Sequence, residues 1–335
     1  MKIPFSSIRI LFLSVTILLF ACCGVQKHYT FVLLPDTQVY SDQFPEIFEA
    51  QTDWILQNHK KIDFVLHQGD ITDYNSPKEW RVAHAAMHKL ENKVPFGLAT
   101  GNHDNGTNGS SDQRDLDLFN QTFPFSRISQ LPGFGGAMEE GKLDNYYCFT
   151  DFGKINVLIL NLEFGPRKRV VQWAQSIIDQ YPEHLIIYNT HAYMYADDTR
   201  MSPDRGHHWL PEKYGLGKDP QDPVLHGEEL WDQLIRRNKQ SFLVLSGHVL
   251  LNGVGTLVSS NDHQEAVYQM LANFQSGVIG SEKGGNGFLR ILQFYPRSER
   301  LTVRTYSPYL GVYKTTPDHE FEFNGVVFDR TQTKK

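Results

Sequence analysis

Short apolar runs alternate with small clusters of Asp, Asn, Gln, His and Gly through the middle of this chain, and the order is always the same, apolar first. Residues 31–34 run into Pro35, Asp36, Thr37 and Gln38; residues 64–66 run into Gly69, Asp70 and Asp73. Residues 95–99 lead to Gly101, Asn102, His103 and Asp104, residues 185–188 to Asn189, Thr190 and His191, and residues 242–245 to Ser246, Gly247 and His248. Each run has the length and the β-branched and aromatic content of a buried strand, and each polar cluster reads as the turn that ends it. If the strands are neighbours in a sheet, the five turns converge on one rim, at the carboxyl ends where α/β sheets place their ligands.

Between these runs the spacing becomes helical. Ile47, Phe48, Trp54 and Ile55 predict a helix over 45–61. Ser76, Pro77 and Glu79 form a capping box with proline at the first helical position, and Trp80, Ala83, Met87 and Leu90 carry the helix from 77 to about 92. Its His84 and His88 read as surface or satisfied residues and not as ligands. Strand, helix, strand is the order of a sheet wrapped by helices. Residues 105–141, rich in Gly, Ser, Asn and Asp, read as a long loop with a short helix near 114–119, and as a wall of a substrate pocket. Strands are predicted over 146–150 and 155–160, a helix over 169–181, another over 227–237, and a hairpin over 289–294 and 301–306. The irregular segment 192–226 leaves the His191 turn and is placed to overhang the site; Glu163, His207 and His208 are candidate pocket residues. No repeat or linker divides residues 29–330, which read as a single domain followed by a loose tail over 331–335.

Composition narrows the class. The 335 residues are 40% hydrophobic and 21% charged, with a net charge of −6, ordinary for a globular protein with a sizeable core. No long basic run is present, which disfavours a nucleic-acid backbone as partner, apart from a nucleotide as substrate. Lys2 and Arg9 lead into an apolar run over 10–21 of signal-peptide length. It is short of the roughly 20 apolar residues of a membrane span. Leu19, Phe20, Ala21 and Cys22 resemble a bacterial lipoprotein box. That resemblance implies a leader over 1–21, lipid on Cys22, a tether over 22–28 and a protein exported to the cell envelope; plain secretion or an uncleaved anchor are the alternatives. Three cysteines make no disulfide framework, and Cys148, between Tyr147 and Phe149, reads as a small buried apolar residue.

The turn residues are the oxygen and nitrogen donors that hold divalent metals. Taken in order, Asp36-Thr-Gln38, Gly69-Asp70-Ile-Thr-Asp73, Gly101-Asn102-His103-Asp104, His191 and Gly247-His248-Val-Leu250 resemble the motifs of the calcineurin-like metallophosphoesterases. The middle two match that pattern in full; the first and last each carry a departure. The resemblance implies an α/β fold, an αββα sandwich of two mixed sheets flanked by helices, with the metal site at the carboxyl ends of strands. It implies two divalent ions (Mn, Fe, Mg or Zn) bridged by Asp70, the second held by Asn102, His191 and His248. The first ion falls to Asp36 and Gln38, where Gln38 and Leu250 stand in place of histidines. A glutamine oxygen is a neutral, harder donor than imidazole and leucine is none, so the first site is expected to be weaker and tilted toward Mn, Mg or Fe. His263 is a candidate to fill the gap.

By the same resemblance His103 is the general acid and Asp104 orients its ring. Asp73 reads as a supporting turn carboxylate. The expected reaction is hydrolysis of a phosphomonoester or diester by a metal-activated water. The expected substrate is a phosphorylated small molecule or a lipid head group. Two other readings stay open: a lipid-anchored, inactive metal- or phosphate-binding protein of the same fold, supported by Leu250, and a mononuclear hydrolase of another ester.

Overall fold

The computed structural model describes residues 26–330; the leader, Cys22 and the tail 331–335 lie outside the described residues. In chain order the strands are β1 (Tyr29–Leu34), β2 (Phe64–His67), β3 (Phe96–Leu98), β4 (Phe134–Ala137), β5 (Tyr146–Asp151), β6 (Asn156–Asn161) and β7 (Leu185–Asn189), then β8 (Ser241–Ser246), β9 (Val254–Ser260), β10 (Ala266–Ala272), β11 (Leu289–Tyr295), β12 (Arg300–Ser307), β13 (Val312–Lys314) and β14 (Glu320–Asn324). The helices are α1 (Gln38–Asp42), α2 (Pro45–Asn58), α3 (Pro77–His88), α4 (Asp117–Thr122), α5 (Phe125–Ile128), α6 (Lys168–Gln180) and α7 (Gly227–Gln233).

The five runs that end in turns bearing Asp, Asn, Gln or His are β1, β2, β3, β7 and β8, and they do not share one sheet. One sheet has the order β13-β12-β11-β1-β2-β3, with β14 paired to β12; the other has the order β4-β5-β6-β7-β8-β10-β9. Within the first, β1, β2 and β3 are parallel, in register Val32 to Val65 and Val65 to Phe96. Within the second, β6, β7, β8 and β10 are parallel. The remaining pairings are antiparallel, as at β1–β11 and β9–β10.

Alternation along the strands explains the four layers. Successive side chains point to opposite faces of a sheet. In β6, Val157 and Ile159 join the core shared with Phe31, Leu33 and Phe294 of the first sheet, whereas Leu158 and Leu160 join the core that holds Val170, Ala174 and Ile178 of α6. In β7, Ile187 faces the first sheet and Ile186 faces the helices; in β8, Leu245 and Val244 divide the same way. On the other side Ile47, Phe48 and Ile55 of α2 and Trp80, Ala83 and Met87 of α3 cover the first sheet. Strands covered on both faces must be apolar throughout, which is why they read as unbroken hydrophobic runs.

Helix ends depart from the sequence reading for local reasons. The helix from 77 stops at His88, and the chain turns away through Asn92 at φ +57°, a left-handed position that asparagine tolerates. The helix from 45 tightens into a 3₁₀ turn over His59–Lys61, and α7 breaks at Leu234. The segment 105–141 holds more structure than a loop: α4, α5 and β4. β9 and β10 were not foreseen, because Thr256, Ser259 and Ser260 dilute the first and a buried Gln269 interrupts the second. Gln269 is tolerated there because Tyr193 and Ser259 satisfy it.

The capping box at α3 also holds the turn after β2. Ser76 Oγ accepts from Glu79 N, and the Glu79 carboxylate accepts from Ser76 N, Asp73 N and Tyr74 N. Ser76→Ala is expected to lower the unfolding free energy by about 1 kcal/mol, read by urea denaturation.

Candidate metal centre

The carboxyl ends of β1, β2 and β3 meet those of β7 and β8 across the sandwich, stitched by hydrogen bonds between the sheets. Asn189 Nδ2 donates to His67 O at 3.0 Å, Gln68 Nε2 to Ser246 O at 2.9 Å, and His191 Nδ1 to Gln68 O at 2.8 Å. His248 N donates to both oxygens of Asp36, at 3.3 and 3.1 Å. The approach is close enough to need glycine: a Cβ on Gly101 would overlap the Asp70 carboxylate, and one on Gly247 the Asp36 carboxylate. Asp70 and His248 themselves sit at φ +48° and +74°. Left-handed backbone at non-glycine residues is strained, and here it turns two donor side chains inward.

Asp70, His191 and His248 each bring a ligand atom within 4.8 Å of the others, and all three are buried. His191 Nε2 lies 3.1 Å from Asp70 Oδ2 and 3.2 Å from Asn102 Oδ1. Two donors at adjacent corners around an ion, each about 2.1 Å from it, stand about 3 Å apart, so these spacings match the edges of a coordination shell. The rings are aimed by carbonyls. With Nδ1 of His191 given to Gln68 O, Nε2 is the nitrogen turned toward Asp70 and Asn102; with Nε2 of His248 given to Trp209 O at 2.7 Å, Nδ1 is left for another partner. A metal-binding histidine is oriented in this way by the partner of its other nitrogen. Trp209, at φ +57°, belongs to the segment expected to overhang the site, and Tyr214 from the same segment packs its ring against His248.

The electrostatics call for a cation. Burial pushes Asp70 up, yet His191 and His103 outweigh it and hold the carboxylate well below its ordinary range. Asp36 is pushed up to about 8, by burial first and by Asp70, against the pull of His191. Burial opposes charge on His191 too, but Asp70 and Asp36 hold it up at about 9, while burial and His191 push His248 down to about 3. Burial and Asp70 thus disfavour charge on Asp36, and a cation between the two carboxyl groups would offset both. Gln38 supports the fit. Its Nε2 donates to Asp73 at 2.9 Å while its buried Oε1 has no hydrogen-bond partner, an acceptor waiting for a positive charge.

Several expected roles are corrected. Asp104 does not orient His103. Its carboxylate accepts from Gly101 N, Ile71 N, Thr72 N and Thr72 Oγ1, holding the two turns together. Asp73 takes the orienting place: its carbonyl accepts from His103 Nδ1 at 2.8 Å, and its Oδ1 lies 3.4 Å from the same nitrogen. Burial opposes charge on His103, but Asp70, Asp73 and Asp104 raise its pKa above the ordinary value. His263 cannot fill the gap left by Leu250. It sits in the β9–β10 turn against Arg237 O, and because β10 runs parallel to β8 that turn is at the opposite end of the sheet. Leu250 itself lies beside Gly277 and brings no donor.

Of the three pocket candidates, Glu163 and His207 are taken up by other side chains, and His208 stands exposed. Glu163 is fully buried, with its carboxylate held by Arg167 at 2.7 and 2.8 Å, by Arg114 at 3.3 Å and by Asn145 at 3.0 Å. Arg114 reaches on to Phe164 O and Gly165 O, so the cluster locks segment 105–141 to the chain after β6. Glu163→Gln keeps the shape but removes the charge facing two arginines, and is expected to cost about 2 kcal/mol of stability by denaturant titration. His207 stacks on Tyr195 at 3.9 Å; its Nδ1 accepts from Ser202 N and its Nε2 faces Asp197. His208 is exposed beside Trp209.

Two residues at the rim were missed. His67, pushed down to about 3 by burial and by His191, binds Thr37 Oγ1 and Gly69 N and ties α1 to the β2 turn. Gln275 approaches Asp36 with Nε2 3.2 Å from Oδ2. A signal for it was present: residues 266–272 followed by Asn273 and Gln275 repeat the strand-then-polar-turn pattern once more.

Residues 29–270 match the family described as calcineurin-like phosphoesterase. The chain is 28% identical over 290 residues to a Bacillus subtilis (strain 168) protein described as "Uncharacterized protein YvnB". That alignment covers 84% of this chain and 20% of the relative, so this chain spans a small part of that protein's length. Among solved structures, purple acid phosphatase PPD1 from yellow lupin seeds is similar with a TM-score of 0.54 and 15% identity, over 92% of this chain and 56% of that one. At that identity the likeness is one of fold. A 5'-nucleotidase precursor from Thermus thermophilus aligns over 90% of this chain and 56% of that one, with 14% identity and a TM-score of 0.45.

Proposed function

The chain belongs to the calcineurin-like phosphoesterases, and on that premise we propose that it hydrolyses a phosphoester with two divalent ions held at the rim between its sheets. The observation that carries this reading is the convergence of Asp70, His191 and His248, whose ligand atoms lie within 4.8 Å of one another. Asn102, His191 and His248 would hold one ion, Asp36 and Gln38 the other, and Asp70 would serve both. When bound, such ions polarise a phosphoryl oxygen and lower the pKa of a water.

The residues of the chain do the rest. Gln68 and Trp209 fix the two imidazoles through their carbonyls, so each aims one nitrogen inward. His103 N donates to Asp70 Oδ1 at 2.9 Å, which sets the bridging carboxylate and the acid in one frame. His103 Nδ1 is held by Asp73, leaving Nε2 to give its proton to the departing oxygen. A phosphorylated small molecule or lipid head group is the proposed substrate class. The lipoprotein-like box at Cys22 supports a location on the bacterial envelope.

The test is release of product from p-nitrophenyl phosphate and bis(p-nitrophenyl) phosphate by the purified protein with Mn²⁺. Chelation is expected to remove turnover and Mn²⁺ to restore it. Firm Mn²⁺ binding without turnover on either ester or on a panel of natural phosphoesters would favour the binding protein instead.

A further inference from the structure

We propose that Gln275 ligates the first of the two ions through Oε1, in the place where Leu250 withholds an imidazole. The proposal rests on the two-ion reading above. Gln275 lies just beyond β10, and β10 runs parallel to β8, so both strands deliver their following turns to the same rim. The turn is held at this point: Gln275 N donates to Asn273 Oδ1 at 3.0 Å, and the Gln275 side chain is buried. Its carboxamide then meets Asp36 at 3.2 Å, the same spacing that separates His191 Nε2 from Asn102 Oδ1. That spacing suits two donors at adjacent corners of one coordination shell, about 3 Å apart.

The carboxamide needs only a half-turn about its last torsion to exchange Nε2 for Oε1. That torsion is soft, and the two ends of the amide are nearly the same size. Without an ion, Nε2–H toward the Asp36 carboxylate is the favoured face; with an ion beside Asp36, the oxygen is. Gln38 already shows the matching arrangement, its nitrogen bonded to Asp73 and its buried oxygen without a partner. The first site is then made of oxygen donors from Asp36, Gln38, Asp70 and Gln275, while the second includes two imidazoles. Oxygen sites suit Mg and Mn, and imidazole sites suit Zn and Fe, so the two positions differ in the metal they select.

The whole chain, solubilised in detergent and stripped with chelator, is titrated with Mn²⁺ alone while free Mn²⁺ is read by electron paramagnetic resonance. The wild type is expected to take two ions. Gln275→Ala is expected to keep one at unchanged affinity and to bind the other at least tenfold more weakly. Gln275→Glu, with the same shape and an anionic oxygen, is expected to bind both at least as tightly as the wild type. Circular dichroism checks that each variant is folded; if Gln275→Ala is not, the glutamate variant decides, and weakened binding there overturns the proposal. Two ions bound by Gln275→Ala within twofold of the wild type overturn it as well, leaving the two-ion reading standing. A wild type that takes up a single ion overturns that reading, and the role of Gln275 with it.

Discussion

Asp70→Asn is expected to lower phosphoester turnover by on the order of 10⁴-fold, an effect of about 5 kcal/mol on the barrier. The substitution keeps the volume and one oxygen, so the turn is expected to survive; it removes the charge that the two proposed ions would share. Three further contacts make Asp70 hard to replace. Its Oδ1 accepts from His103 N, its Oδ2 faces His191 Nε2, and its left-handed backbone fits between Gly69 and Gly101. Asparagine tolerates that backbone better than most residues, which makes it the cleanest probe of charge at this position. Initial rates measured together with metal content separate loss of an ion from loss of chemistry. A variant with two bound ions and turnover within tenfold of the wild type would sink the bridging role.

His103→Ala is expected to slow hydrolysis of alkyl phosphates by about 10²–10³-fold, within the range of general acid catalysis. The loss should be far smaller for p-nitrophenyl phosphate, whose leaving group departs without a proton. The reason lies in the geometry: Asp73 anchors Nδ1, and Nε2 is the one nitrogen left to donate. Equal losses on the two leaving groups would mean that His103 only supports the Asp70 turn through its backbone, and the acid would have to be sought elsewhere. The same pair of substrates tests the reassignment of Asp104. As a carboxylate committed to three backbone N–H groups, it should affect stability when replaced. It should not affect leaving-group dependence.

Much of the site was legible because its donors follow immediately on buried strands. Position along such a chain is position at the rim: Asp36, Asp70, Asn102, His191 and His248 each close an apolar run, and parallel pairing carries the runs to one end of the sandwich. The departures were legible too, since Gln38 and Leu250 are read directly from the motif. Less visible were the residues whose meaning depends on what faces them. Glu163 could stand in a pocket or in an ion pair, and Arg167, four positions on, together with Arg114, 49 positions earlier, decides for the pair. His207 is taken up by Tyr195 and Asp197, and His263 lies at the far end of β10 because of the direction in which that strand pairs.

The local chemistry of this protein was therefore set by the order of residues alone: which strands are buried, which turns carry metal donors, where α3 is capped, and which histidines the motifs lack. These follow from side-chain periodicity and backbone preference, which act over a few positions. Tertiary structure decided the rest. It divided the donor strands between two sheets, gave His103 to Asp73 and not to Asp104, brought the Trp209 carbonyl onto His248, and set Gln275 against Asp36 across 239 positions of chain. Such pairings depend on the direction and register of strands packed face to face, and no pattern within one segment encodes them.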